Sequence, residues 1–441
     1  MLEEINLKKR PGQPLYLQIV EGIKDNITKG LLRDGEKLVS IRQLAKALNV
    51  SKTTIEMSYQ ILVAEGWLES REKVGYQICG LKSEKQPEKS PVKNMETKKN
   101  YIYDFSTYYL DEKYFDKKNW KRHLNYVLKD EKNLNRYGEN QGEMELREAI
   151  ASYIKEYRGV HARPEEIIIG AGFQSLLQLL LPNIKDIYNQ VIFNQEGFPS
   201  GEYIFQQFGY DIGHFSKEAE NKYHDTLLYI NSDNSFLDSY KKKAEFLKLA
   251  YKRNILIIED DYNGEFRSGK RPVPALKSLD TFDKIIYFGA FSSILAPSIR
   301  ISYLIVPEPY LTQIRENISY YNQTSSSIEQ LALAKFINNG FLAKSVRSMR
   351  KGYQKKRELL IKALDKYFYG SYMIRDTNST VEMKISFSFP ITTLHIATWE
   401  KNGVKLKSTG ESNSFTLIFA GISSEKIEQG IKIMSSSCGF I

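Results

Sequence analysis

Apolar residues at Leu15, Ile19, Val20, Ile23 and Ile27 recur at helical spacing, which predicts a helix over Pro14–Lys29 with one buried face. Gly30 ends it, and Asp34-Gly35 makes a turn. Ser40 caps a second helix with Ile41, Leu44, Ala45 and Leu48 inward. Ser51 caps a third, whose inward residues are Val50, Ile55, Tyr59 and Leu62, ending near Glu65-Gly66. Trp67–Ile78 alternates as a two-stranded hairpin should. Periodicity then lapses over Cys79–Asn100. From Tyr101 to the end, helical and strand patterns alternate, as an α/β domain with a mostly parallel sheet requires.

These patterns divide the chain into residues 1–78, a tether 79–100 and a large domain 101–441. Short helices, a tight turn and a hairpin make a winged helix-turn-helix. The tether has two prolines, no aromatic residue and alternating Lys and Glu, so it cannot bury a core segment. The net charge of +10 is compatible with nucleic acid, yet residues 1–78 hold twelve Lys or Arg against ten Asp or Glu. DNA binding must therefore rest on where the cations sit. Two cysteines and five scattered histidines make no metal cluster and no disulfide framework. The run Leu176–Leu181 is too short to span a bilayer, and nothing at Met1 resembles a signal peptide. No membrane association is expected, and a reducing cytoplasm fits best.

The stretch PLYLQIVEGIKDNITKGLLRDGEKL, followed by SIRQLAKALNVSKTTIEMSYQILVAEGWL, resembles the DNA-binding domain of GntR regulators along its full length. Ser51, Lys52, Thr53 and Thr54 point away from the core at the start of the third helix, where a recognition helix meets base edges and phosphates. The resemblance implies that Ser40 and Arg42 reach phosphate and that Arg71, Lys73 and Gly75 form a wing tip in the minor groove. Val39 stands where the family usually has Pro, which alters the turn and removes no contact.

IIYFGAFSSILAPSIRISYLIVP (Ile285–Pro307) predicts a buried strand Ile285–Phe288, a small-residue turn at Gly289 and Ala290, and a second apolar run Ile301–Val306. Ser292, Ser293, Pro297 and Arg300 are placed on a surface loop between them. The layout resembles the cofactor-lysine segment of fold-type I aminotransferases, most closely the MocR branch of the GntR regulators. The resemblance continues through RYGENQGEMELREAI (Arg136–Ile150), IIIGAGFQSLLQLLL (Ile167–Leu181), ILIIEDDYNGEF (Ile255–Phe266) and the helix pair Glu329–Leu360. It implies that Arg300 and the Gly170–Gly172 turn hold the phosphate of pyridoxal phosphate (PLP). It also implies that Asp260 faces the pyridine nitrogen and Tyr262 the ring hydroxyl, with Phe198, Ser292 and Ser293 beside them.

Ser293 stands where the family carries the lysine that binds PLP covalently, and a hydroxyl cannot replace a primary amine. Other departures fall around the same pocket. NQEGFPS (Asn194–Ser200) lacks a Pro before Gly197, NSDNSFLDS (Asn231–Ser239) has neither Pro nor Gly, Phe173 replaces a small hydroxyl residue, and Thr416 falls at the substrate-carboxylate arginine. The expectation is a DNA-binding transcription regulator, a head-to-tail homodimer on operator DNA, whose aminotransferase-like domain is not an enzyme. Weak, non-covalent PLP or a related phosphate ligand is the cofactor expected, acting as a small-molecule effector. Two other readings remain open at this stage: a working PLP aminotransferase with a DNA-binding appendage, and a large domain that serves only to dimerise.

Overall fold

A computed structural model describes residues 14–71, 75–79, 101–194, 198–216, 223–231, 239–267, 274–375 and 379–440. Lys73, residues 80–100 of the tether, and residues 195–197 and 232–238 of the two altered turns lie outside them. The chain divides into two compact units, Met1–Lys98 and Lys99–Ile441.

In the first unit, α1 (Leu15–Thr28), α2 (Ile41–Ala47) and α3 (Lys52–Ala64) are followed by β1 (Leu68–Arg71) and β2 (Gly75–Ile78), an antiparallel pair. The helices stop where expected. Gly30 has φ 73°, and Ser40 and Ser51 accept from Gln43 N–H and Thr54 N–H as N-caps. Ile19, Ile23, Leu44, Ile55, Tyr59, Leu62, Leu68 and Ile78 close one core. The Tyr59 hydroxyl donates to the Val39 carbonyl oxygen at 2.8 Å, so the turn with Val39 in place of Pro is tied to the recognition helix.

The second unit carries two sheets. After β3 (Tyr103–Phe105), the larger sheet takes β4 (Ile167–Gly170), β5 (Gln190–Phe193), β6 (Asp211–His214), β7 (Leu227–Asn231), β8 (Leu256–Asp260), β9 (Ile285–Ala290) and β10 (Ser302–Ile305). Their spatial order is β4-β10-β9-β8-β7-β5-β6. Strands β5 to β9 pair in parallel, whereas β10 is antiparallel to both β4 and β9. Near-continuous apolar runs such as IIYF suit strands covered on both faces, here by the cores around Phe193 and Tyr229 on one side and Tyr287 and Ile257 on the other.

The smaller sheet holds β11 (Tyr372–Ile374), β12 (Glu382–Phe387), β13 (Val404–Ser408) and β14 (Ser414–Ile418), in the order β11-β12-β14-β13-β3. It is antiparallel except where β13 meets β3, so the mostly parallel expectation holds for the larger sheet and fails here. A second correction concerns Gly289 and Ala290, which continue strand β9 instead of turning. Gly289 is needed because the Tyr303 ring occupies the space a Cβ would take.

Candidate functional site

On the first unit, solvent-facing residues of α3 form a stripe of Lys52, Thr53, Glu56, Met57 and Gln60, while Ile55, Tyr59 and Leu62 face inward. Thr54 is half-buried. Its hydroxyl lies 2.7 Å from that of Ser51, and its N–H donates to the Ser51 hydroxyl at 3.1 Å. The Ser40 hydroxyl likewise donates to Gln43 Oε1 at 2.8 Å in a capping box. These hydroxyls, expected from sequence to face DNA, are thus also spent on starting their helices. Arg42 and Lys52 are exposed and make no ion pair among the described residues. Arg71 pairs with Glu69 through Nε and Nη2, at 3.1 and 3.0 Å, next to Gly75 at the end of the hairpin. Glu56, Met57 and Gln60 were missed in the sequence reading, although their helical spacing from Thr53 marks the same face.

On the second unit, strand register aligns Asn231, Asp260 and Phe288 across β7, β8 and β9, and Ala290, Ser302 and Gly170 across β9, β10 and β4. All sit at the carboxyl edge of the parallel strands, where open α/β sheets bind ligands. There a cavity of about 410 Å³ is lined by Gly172, Phe198, Asp260, Tyr262, Ser292 and Arg300, with Phe173, Gln174, Tyr229, Asn231, Phe288 and Ser302. Six of the seven positions picked from sequence converge.

Gly172 begins the helix Phe173–Ile184 at φ 95°, and a Cβ there would meet the Arg300 guanidinium. A glycine is required for both reasons, and the result sets a cation against helix N-terminal N–H groups. Asp260 lines the same cavity. Its carboxylate accepts from the Tyr229 hydroxyl at 2.5 Å and from the Tyr262 N–H at 3.2 Å. Burial pushes the carboxyl up from the ordinary 3.8 to about 6, the Tyr229 hydrogen bond opposes this, and neighbouring Asp261 adds to it. Burial also raises the Tyr262 hydroxyl, against a hydrogen bond with Ser292 and the Arg300 charge.

Strand alternation sends the flanking carboxylates elsewhere. Glu259 accepts from Leu276 N–H and Lys277 N–H at 2.6 and 2.8 Å. Asp261 is locked by Arg158, with Nε and Nη2 at 2.6 and 2.9 Å, and by the Tyr287 hydroxyl at 2.5 Å.

Phe198 stacks on Tyr229 with centroids 5.4 Å apart and an interplanar angle of 13°, while Phe173 packs on Phe288 at 4.4 Å. Tyr229 was not picked out from sequence, and Asn231 only as the start of the altered turn Asn231–Ser239. Their alternation at the end of the apolar strand LLYIN is the signal that points them into the cavity.

Ser293 is the exception. It is buried rather than on a surface loop and lines no part of the cavity. Its Oγ donates to the Tyr262 carbonyl oxygen at 2.9 Å, and its own carbonyl accepts from the Tyr108 hydroxyl at 2.9 Å. Apolar Phe291, Ile294 and Leu295 on either side draw this part of the loop into the core. Thr416 is likewise buried, within β14. The described residues contain no group of His, Cys, Asp and Glu that could hold a metal ion, and no helix long and apolar enough to cross a membrane.

Residues 15–78 match the family described as bacterial regulatory proteins, gntR family, and residues 106–386 match aminotransferase class I and II. A Bacillus subtilis protein described as the uncharacterized HTH-type transcriptional regulator YdeL is 34% identical over 96% of both chains. The probable rhizopine catabolism regulatory protein MocR of Rhizobium meliloti is 27% identical over 83% of this chain and 80% of its own. The chain belongs to the MocR branch of the GntR regulators. It is a DNA-binding transcription regulator with a fold-type I aminotransferase-like domain. The MocR-type large unit superposes on the multiple substrate aminotransferase of Thermococcus profundus with a TM-score of 0.67 and 19% identity, covering 78% of this chain and 92% of that one. At that identity the likeness is one of fold.

Proposed function

We propose that this MocR-type regulator binds operator DNA through Ser40, Arg42, Ser51, Lys52, Thr53, Thr54, Arg71, Lys73 and Gly75, and that its large unit is a non-catalytic dimerisation and sensing body. The observation that supports this most is Ser293. Its hydroxyl is closed in a buried hydrogen bond at the position where the family's PLP lysine would stand. PLP bound through a lysine supplies an electron sink at its ring nitrogen, and this position offers no amine for that attachment.

The cavity still suits a small phosphorylated or zwitterionic heterocycle held without a covalent bond, such as PLP bound weakly. Arg300 and the helix start at Gly172 would hold the anion, Asp260 a protonated ring nitrogen, and Tyr262 a ring oxygen. A volume of about 410 Å³ is in the range of small-ligand sites, which favours a sensor over a body with a collapsed pocket. The family fold and the exposure of the large apolar side chains Tyr137 and Tyr320 support a homodimer, which the resemblance to MocR regulators makes head-to-tail. The absence of cysteine pairing among the described residues is compatible with the cytoplasm.

Calorimetric titration of PLP and of inorganic phosphate into the native protein and Arg300→Ala tests the sensor reading. Saturable heats lost in the variant support it. Heat-silent titrations of both proteins would leave the large unit as a dimerisation body alone.

A further inference from the structure

The helix Lys117–Val127 has two unlike faces. Trp120, His123 and Val127 pack inward, while Lys118, Lys121 and Arg122 are exposed on the other side, with Lys129 just past the end. Their offsets of three, four and eleven residues from Lys118 put them on one stripe, about 17 Å long from the rise per residue. Lys335, from the helix Ser327–Asn338, joins them with Nζ 4.6 Å from the exposed Tyr126 ring. The five cations line a concavity of about 930 Å³ to which no carboxylate contributes among the described residues. None of them makes an ion pair with a described carboxylate, whereas nearby Lys117 is paired with Glu112 and Lys113 with Asp111. Asp116, at the start of the helix, is hydrogen-bonded by Asn119, which lowers its carboxyl, and the Lys118 charge is among the further causes that lower it. Asp130 and Glu145 line an adjoining hollow that shares Tyr126, Lys129 and Lys335 with this one, so they face the patch at that end.

Like charges gathered this way repel unless something neutralises them. We propose that this stripe is a second DNA-contact surface, which neutralises backbone phosphates of DNA flanking the operator. The proposal rests on the DNA-binding role of the first unit and extends it to the large unit. Two observations favour duplex backbone over a free oligophosphate. The cations form an open line, and DNA presents one charge per about 1.7 Å of axis along such a line. The second is that, among the described residues, no buried side chain lining the concavity offers a free polar atom for a compact ligand to reach. Here the buried candidate, His123, is tied at both nitrogens, with Nδ1 2.6 Å from the Asn119 carbonyl oxygen and Nε2 2.9 Å from the Asn339 amide nitrogen.

The test is the salt dependence of affinity for the full chain on two duplexes, one trimmed to the operator and one with long flanks. A variant carrying Lys118→Gln, Lys121→Gln, Arg122→Gln and Lys129→Gln should lose about three to four from the log–log salt slope per bound copy on the long duplex, at roughly 0.9 per phosphate contact. On the trimmed duplex it should match the native protein, and its preference for operator over unrelated sequence should be unchanged. Replacing the three lysines by arginine should keep the native slope, which separates lost charge from lost folding. Arg42→Ala, by contrast, should weaken both duplexes, so failure of the first-unit contacts is read separately. Equal slopes for native and glutamine variants on the long duplex would overturn the proposal. So would saturable binding of inorganic tripolyphosphate that the variant loses while its DNA slope stays native.

Discussion

The Ser293 hydroxyl donates to the Tyr262 carbonyl oxygen at 2.9 Å, inside the core and away from the cavity. In this position the side chain serves the fold of the loop. Ser293→Ala should therefore destabilise the protein by about 1 kcal/mol, because a part-buried carbonyl loses its hydrogen-bond partner. Operator affinity at a temperature well below unfolding should not change. Chemical denaturation with parallel DNA titration checks both, and a loss of DNA affinity without a loss of stability would contradict the structural role.

Asp260 titrates near 6 in the folded chain, against about 3.8 when freely exposed. An acid whose folded value is raised binds more protons folded than unfolded between those values. Stability from this group is therefore fully present below about pH 4 and is lost as pH rises through about 6. Asp260→Asn should be the more stable protein at pH 7, by up to about 3 kcal/mol before the reduction that partial solvent access brings. The gap should close by pH 4. Melting temperatures of both proteins across that range measure it, and a constant gap would show that Asp260 is not the titrating group.

Arg158 and Asp261 form a bidentate ion pair sealed from solvent, with the Gly264 carbonyl oxygen accepting from Arg158 Nη1 at 2.9 Å. Arg158→Met strands a buried carboxylate and should cost about 3–5 kcal/mol. The double change Arg158→Met with Asp261→Asn should recover part of that cost. Urea unfolding of the single and double variants gives the comparison. An additive double variant would mean that the two residues do not act as a pair.

On α2 and α3, the exposed cations and the exposed polar side chains should separate by readout. Arg42→Ala and Lys52→Ala should weaken binding to every sequence and lower the salt slope by about one for each lost phosphate contact. Gln60→Ala and Glu56→Ala should instead shift which bases are preferred, with the slope unchanged, since amide and carboxylate groups read base edges. Operator selection with each variant at two salt concentrations distinguishes these outcomes.

Much of this was legible in the chain. The spacing of Ile19, Val20 and Ile23, the serine caps and the hairpin alternation placed the first unit because each is a local rule. The convergence of Gly172, Asp260, Tyr262 and Arg300 was legible only through resemblance, since their sequence separations carry no geometry of their own. What escaped was set by tertiary packing. Gly289 extends a strand because the Tyr303 ring from the antiparallel neighbour needs its empty space. Ser293 is buried because Phe291, Ile294 and Leu295 beside it are core residues. The second sheet is mostly antiparallel because the helix Thr393–Lys401 carries the chain from β12 to β13 and the turn after Ser408 returns β14 between them, antiparallel to both. The basic stripe on the helix Lys117–Val127 was hidden by a net charge whose surplus is spread over the whole sequence.

Ser293 leaves its position without an amine for covalent PLP, so any stoichiometric attachment would have to come from another lysine. Intact-mass spectrometry after incubation with PLP and borohydride reduction reads such attachment. The native protein and Asp260→Ala should show the same low, unsaturated labelling of surface lysines, with no single stoichiometric adduct. One adduct per chain, formed at low PLP and lost in Asp260→Ala, would contradict the account.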